Sequence, residues 1–136
     1  MKDSLKPGLE ITRRITIDTE RTIGFMGEDF RVYATPSMVL DVERTCKELL
    51  DEHLEPGENS VGARVEIDHL GATLRDMWVD VHATIAEIDR RRVLFDVEVN
   101  DQLGDKVGAC KHTRFVVDLA KQKERLDAKR ARLASA

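Results

Sequence analysis

Residues 34–54, A-T-P-S-M-V-L-D-V-E-R-T-C-K-E-L-L-D-E-H-L, constrain the fold more than any other stretch of the chain. Advancing about 100° per residue puts Met38, Val39, Val42, Cys46, Leu49 and Leu50 on one face of a helix, with Arg44, Lys47, Glu48 and Asp51 opposite. Thr35 is expected to be the N-cap, with Pro36 at the first helical position, where its missing N–H is not needed. Pro56-Gly57 ends the helix after Leu54. Glu43 falls at the border of the apolar stripe. An amphipathic helix of this length needs a large apolar surface to cover, and the rest of the chain has to provide it.

Downstream and upstream of the helix, the period changes from 3.6 to 2. Leu9, Ile11, Ile15 and Ile17 alternate with polar residues and predict a strand with one buried face. After the turn E-P-G-E-N-S, a second strand runs with Val61, Ala63, Val65, Ile67 and then His69 in one register, and Gly62, Arg64, Glu66 and Asp68 in the other. Met77, Val79, Val81, Ala83 and Ile85 mark a third strand. The segment D-R-R-R is a hairpin connection to a fourth, with Val93, Phe95, Val97 and Val99. A fifth covers roughly 107–118, where Lys111 and Thr113 interrupt the register of Val107, Ala109, Phe115 and Val117. Residues 119–136, rich in Lys, Arg and Ala, read as a C-terminal helix.

One helix and five strands in 136 residues make a single α+β domain over 1–136. With 41% hydrophobic but only 4% aromatic residues, its core is aliphatic. Strands joined by hairpin-length links predict an antiparallel sheet, and the only strong cover for its apolar face is the helix. The expected architecture is a curved antiparallel sheet wrapped around one long central helix, the hotdog fold. Such a layer leaves sheet edges open, so a homodimer is expected.

The formal net charge of −4 argues against general nucleic-acid binding. The N-terminus M-K-D-S-L-K-P-G has no apolar run, so no signal peptide is expected, and no stretch approaches the ~20 apolar residues of a membrane span. Cys46 and Cys110 read as reduced, buried thiols of a cytoplasmic protein. His53, His82 and His112 are scattered without metal-ligand spacing, so no metal is expected. No nucleophile elbow, P-loop or dinucleotide fingerprint occurs.

Three residues stand out chemically. Thr35 is at the start of the helix, Glu43 at the edge of its apolar stripe, and His69 on an otherwise aliphatic strand register. Singly, each has a plain reading: a cap, a boundary carboxylate, a rim histidine. Together they supply a carboxylate, an imidazole and a hydroxyl, which would converge if the helix packs on the sheet. The helix N-terminus adds backbone donors for an oxyanion, less the one that Pro36 removes.

The segments Y-A-T-P-S-M-V-L-D-V-E, L-E-P-G-E-N-S-V-G and V-E-I-D-H-L-G-A-T resemble the thioesterase family typified by fluoroacetyl-CoA thioesterase. The likeness extends from K-P-G-L near the start to K-H-T-R-F-V-V near the end. It implies a hotdog homodimer that hydrolyses an acyl-CoA thioester, with residues of both protomers at the interface. It implies no cofactor, since CoA is part of the substrate. By position, Thr35, Glu43 and His69 are the implied catalytic residues, and Gly62 and Arg114 the implied substrate-binding ones. Glu43 would be nucleophile or general base, His69 would polarise or protonate, and a Gly62 N–H would hold the thioester carbonyl. The chain departs from the pattern at Pro36, which follows the threonine where the fluoroacetyl-specific enzyme has glycine. It also lacks a clear aromatic lid, for which Phe30 is the stand-in. A small or medium acyl group is therefore expected, without strong selectivity for the fluorinated one. The competing readings are a non-catalytic acyl-CoA-binding dimer on the same fold and a hotdog dehydratase; the dehydratase's Asp/His helix motif does not occur.

Overall fold

The computed structural model describes residues 1–136. Its regular elements are β1 (Glu10–Thr16), α1 (Thr35–Asp51), β2 (Glu58–His69), β3 (Trp78–Asp89), β4 (Arg92–Asp101), β5 (Lys106–Asp118) and α2 (Leu119–Ser135). The strands form one sheet in the order β1-β3-β4-β5-β2, and every pairing is antiparallel. This is the hotdog architecture: a curved sheet with α1 against its inner face. Hairpin links join β3, β4 and β5. The step from β2 to β3 is not the hairpin that the link lengths suggested, since the two strands are not neighbours in the sheet. Residues 70–77 cross from the β2 edge to the far half of the sheet.

The helix stripe is buried as the periodicity requires: Met38, Val42, Cys46, Leu49 and Leu50 are in the core, and Val39 is half-buried. They pack on Val79, Val81, Ala83 and Ile85 of β3 and on Val93, Phe95, Val97 and Val99 of β4 within one cluster. The start of α1 approaches the sheet closely because β5 has Gly108 there. A Cβ on Gly108 would lie 2.7 Å from Met38 Sδ and 3.2 Å from Val99 Cβ. The helix also buries two polar residues that its stripe does not announce, Asp41 and Thr45. Arg21 closes a bidentate pair on Asp41 at 2.9 and 3.0 Å, and the Tyr33 hydroxyl donates to it at 2.5 Å. The long connection from β1 is thereby fastened to the helix by charge-assisted bonds.

Two strands face differently from their simple alternation. In β2 the register shifts between Gly62 and Arg64, so Ala63 is the extra residue of a bulge. Val65, Ile67 and His69 are half-buried as expected, but on the near side of the bulge the parity reverses. Ser60 is buried, Gly62 looks toward α1, and Val61 is 39% exposed. In β5 the inward set is Gly108, Cys110, His112, Arg114 and Val116, not the register of Ala109 and Phe115. Lys111 and Phe115 point outward. Placing the apolar-looking register outside costs little, because it carries a lysine that has to reach water. The tail helix α2 is capped by the Asp118 side chain, which accepts from the Lys121 N–H at 3.0 Å, and it buries none of its residues.

Candidate active site

At the N-terminus of α1, Ala34 is the N-cap residue and makes no side-chain cap bond. Thr35 therefore opens the helix and does not cap it. Its hydroxyl is instead hydrogen-bonded to His69 Nδ1 at 2.7 Å, joining the start of α1 to the end of β2. The Tyr33 ring meets the imidazole edge-on, with centroids 6.3 Å apart. His69 Nε2 is buried and has no hydrogen-bond partner. A buried polar atom without a partner is uncommon and suits one that meets a reactant. Desolvation holds the His69 pKa below its usual value, which favours the neutral ring, and with Nδ1 engaged by Thr35 it is Nε2 that is free to take a proton.

A second cluster lies farther along the same helix. Glu43 is at the edge of the stripe with its side chain 36% exposed, and its Oε2 is 4.0 Å from Arg114 Nη1. A Cβ on Gly62 would sit 3.4 Å from each of Arg114 Nη1, Glu43 Oε2 and His112 Cε1. With no side chain, Gly62 leaves the space in front of these groups open. Arg114 is buried and tightly held. Its Nε donates to Ser60 Oγ at 2.8 Å, its Nη2 to the Ser60 carbonyl at 3.1 Å, and its Nη1 to His112 Nε2 at 3.2 Å. Burial lowers the Arg114 pKa, and Glu43 opposes that shift. The bulge at Ala63 is what turns Ser60 and Gly62 inward to build this cluster.

One chain thus joins the expected site residues into two groups: Thr35 with His69, and Glu43 with Gly62 and Arg114. It makes no contact between the groups. Glu43 is eight positions beyond Thr35, about 12 Å of helical rise. The convergence expected from helix on sheet is therefore not completed within a single copy. Sequence reasoning passed over His112, which joins the second group with 1% exposure. The signal that could have found it is parity: with Lys111 outward, the alternate residues Cys110, His112, Arg114 and Val116 have to face in. The thiols take no part. Burial pushes Cys110 up to about 12 and raises Cys46 as well, so neither supplies a thiolate at neutral pH.

The segment 24–32 beside Thr35 carries a short 3₁₀ turn, Glu28–Phe30. Phe25, Met26 and Phe30 are all exposed on it. Its base is tied down: Arg31 pairs with Glu28 at 2.8 Å and donates to Thr22 Oγ1 at 3.1 Å. Gly24 leaves space that Arg31 fills, since a Cβ there would come within 2.7 Å of the guanidinium.

With this geometry in view, comparison with known proteins is direct. Residues 17–120 match the family described as fluoroacetyl-CoA-specific thioesterase. The chain is 30% identical over 128 residues to the fluoroacetyl-CoA thioesterase of Streptantibioticus cattleyicolor, covering 89% of this chain and 91% of that one. A crystal structure of a fluoroacetyl-CoA thioesterase superposes with a TM-score of 0.83 at 28% identity, covering 93% of this chain and 98% of that one. A Thermus thermophilus protein described as a thioesterase superfamily member superposes with a TM-score of 0.91, also at 28% identity, covering 98% of this chain and 99% of that one. A match spanning most of the domain, in sequence and in fold, establishes that the chain belongs to the fluoroacetyl-CoA-specific thioesterase family of hotdog proteins.

Proposed function

We propose that this chain is an acyl-CoA thioesterase that hydrolyses a small or medium acyl-CoA to the free acid and CoA, acting as a homodimer in the cytoplasm. The observation that carries the reading is the pair of half-sites on α1: a neutral, partnerless imidazole nitrogen at one end and a carboxylate beside a buried arginine farther along. A thioester cleavage needs both a group to form the new C–O bond and a proton for the departing thiolate. Glu43 takes a proton from the water that attacks the carbonyl carbon, or attacks that carbon itself to give a mixed anhydride that water then hydrolyses. The proton that the attacking water gives up passes to His69 Nε2 and on to the CoA sulfur, and the Thr35 hydroxyl holds the ring at Nδ1. Gly62, with no side chain in the way, offers its N–H to the carbonyl oxygen as negative charge builds there. Retention of this whole set favours an enzyme over an acyl-CoA-binding dimer, since binding alone calls for no such combination.

The β2 edge supports homodimerisation. β2 is 12 residues long, pairs only with β5, and carries the side-chain-poor Gly62-Ala63 step. The opposite edge, β1, is only 7 residues and guarded by Arg13 and Arg14. Antiparallel pairing of two β2 edges brings the His69 end of one copy toward the Gly62 segment of the other, which joins the half-sites. No helix is long and apolar enough to cross a membrane, and both cysteines are free and buried. Those features support a cytoplasmic setting.

The test is a panel of fluoroacetyl-, acetyl-, propionyl-, butyryl- and phenylacetyl-CoA, read by release of free thiol. Turnover of at least one ester is expected. Binding of the esters without thiol release would replace the enzyme by the binding dimer. Pro36 stiffens the chain beside Thr35 and withdraws a backbone donor, so a preference for fluoroacetyl- over acetyl-CoA below about 10³-fold is expected, or less than ~4 kcal/mol of discrimination. A larger preference would overturn that part. A monomer by light scattering at micromolar concentration would count against the shared site.

A further inference from the structure

His112 has no role in the chemistry proposed above, yet it is the most enclosed ionisable side chain of the Glu43 cluster. Its two nitrogens are committed in opposite senses. Nδ1 lies 2.8 Å from the Arg64 carbonyl oxygen, which can only accept, so Nδ1 carries the proton and donates. Nε2 lies 3.2 Å from Arg114 Nη1, which can only donate, so Nε2 presents its lone pair. The ring is therefore a neutral Nδ1–H tautomer, fixed from both sides. It stacks on Phe95 of β4, with centroids 6.3 Å apart. The Arg64 carbonyl belongs to the residue that closes the bulge in β2. The chain of contacts runs from the bulge, through the imidazole and the guanidinium, to the carboxylate.

We infer that His112 is a positioning residue: acting through Arg114, it fixes the direction in which a cation faces Glu43 and the open space over Gly62. The inference rests on the reading of Glu43 as the site carboxylate. Ser60 takes Nε and Nη2 of Arg114. Nη1 is the nitrogen nearest Glu43, and His112 is the only side chain that accepts from it. Without that acceptor the guanidinium loses one of the contacts that set its tilt. Such tilts matter, since misplacement by about 1 Å at a reacting group can cost roughly 10²-fold in rate.

The arrangement also makes a pH sensor. The charged and titratable groups facing the ring are Arg114 from β5 and Glu43 from α1; β2 presents only a carbonyl and β4 only an aromatic ring. Burial and the Arg114 cation both disfavour imidazolium, and they outweigh the opposing pull of the Arg64 carbonyl and Glu43. Protonation at Nε2 would replace an acceptor with a donor against Arg114 and turn the guanidinium away. Two histidines then shape the acid side of the rate profile, His69 by direct proton transfer and His112 through Arg114.

Amide replacements separate the two nitrogens. In His112→Gln the side-chain oxygen can reach the Nε2 position and still accept from Arg114, whereas His112→Asn can keep the bond to the Arg64 carbonyl but loses that acceptor. With the best acyl-CoA, the Asn variant is expected to lose about 10-fold or more in kcat with KM changed less than about 3-fold, and the Gln variant to stay within about 3-fold of wild type. The acid limb of log kcat against pH should approach a slope of two in wild type and one in the Gln variant. A folded Asn variant with wild-type kcat, or a Gln variant whose acid limb is as steep as wild type, overturns the proposal. So does failure of both variants to fold, because His112 would then be structural. Glu43→Gln is run alongside. If it retains full activity, the reading of the site carboxylate fails; if it is inactive while both His112 variants behave as wild type, only the positioning role fails.

Discussion

The two halves of the sheet beneath α1 were built by different rules. Under β3 and β4 the inward positions from Val79 to Ile85 and from Val93 to Val99 are all aliphatic or Phe95, and the alternation runs through them without a break. Under β2 and β5 the inward positions include Ser60, Gly62, His112 and Arg114. The first half gains its stability from close packing of apolar surface, about 25 cal/mol per Å² removed from water. The second half gives up part of that gain to hold a buried cation in a fully bonded cradle. Stability and chemistry are thus separable here: a substitution on one side should unfold the protein, and one on the other should silence it.

The largest effect expected is on the apolar side. Val42 is completely buried on α1. Val42→Asp places an unpaired charge there at a cost of several kcal/mol, comparable to the whole stability of a small domain. The variant should lack a cooperative thermal transition by circular dichroism. A native-like melting curve would break the contrast. The next largest effects are on the polar side. Glu43→Gln and His69→Asn should each lower kcat by about 10²-fold or more, the usual scale of a lost acid–base group. Both should melt within a few degrees of wild type, since neither side chain is part of the aliphatic cluster. Loss of folding together with loss of rate would show that the two halves are not separable.

A smaller change sharpens the boundary between them. Gly108 lies on β5 but touches the apolar side through Met38. Gly108→Ala should force Met38 aside and destabilise by about 1–3 kcal/mol, with kcat little changed. Calorimetry and thiol-release kinetics on one preparation would check both statements. The smallest effect is on pH. His69 and His112 both have pKa values lowered by burial. A group held below its unfolded pKa favours folding most when deprotonated in both states, so its contribution is present above about pH 6.5 and is lost as pH falls through the folded value. Thermal midpoints should therefore decline below about pH 6.5, and less so in His112→Gln. An unchanged slope in that variant would mean that the ring is not buried in solution.

The same division governs what could be read from the sequence. Period-2 alternation identifies β3 and β4 residue by residue, and the 3.6 period identifies the helix stripe, because each depends on neighbours close in the chain. Asp41 escaped notice because what stabilises it inside is Arg21 and Tyr33, 20 and 8 positions away. His112 escaped because β5 carries weakly apolar residues on both registers, and only the strand it pairs with decides which faces in. Thr35, Glu43 and His69 stand out from local pattern, and the family likeness adds Gly62 and Arg114. Local pattern pointed at Glu43 and His69 as oddities, but it could not say that the helix N-terminus would turn its hydroxyl to an imidazole.

The bulge at Ala63 has a consequence for how such a site can arise or be moved. A strand obeys an even–odd code, and a single inserted residue inverts the code for everything on one side of it. Ser60 and Gly62 look toward the helix because Ala63 is there, with no need for either to change identity. Deleting Ala63 would restore strict alternation from residue 58 to 69 and exchange inside for outside over the first part of β2. In a sheet of this kind, gain or loss of one codon is a larger functional step than most point mutations, and a search for new activities that samples substitutions alone never takes it.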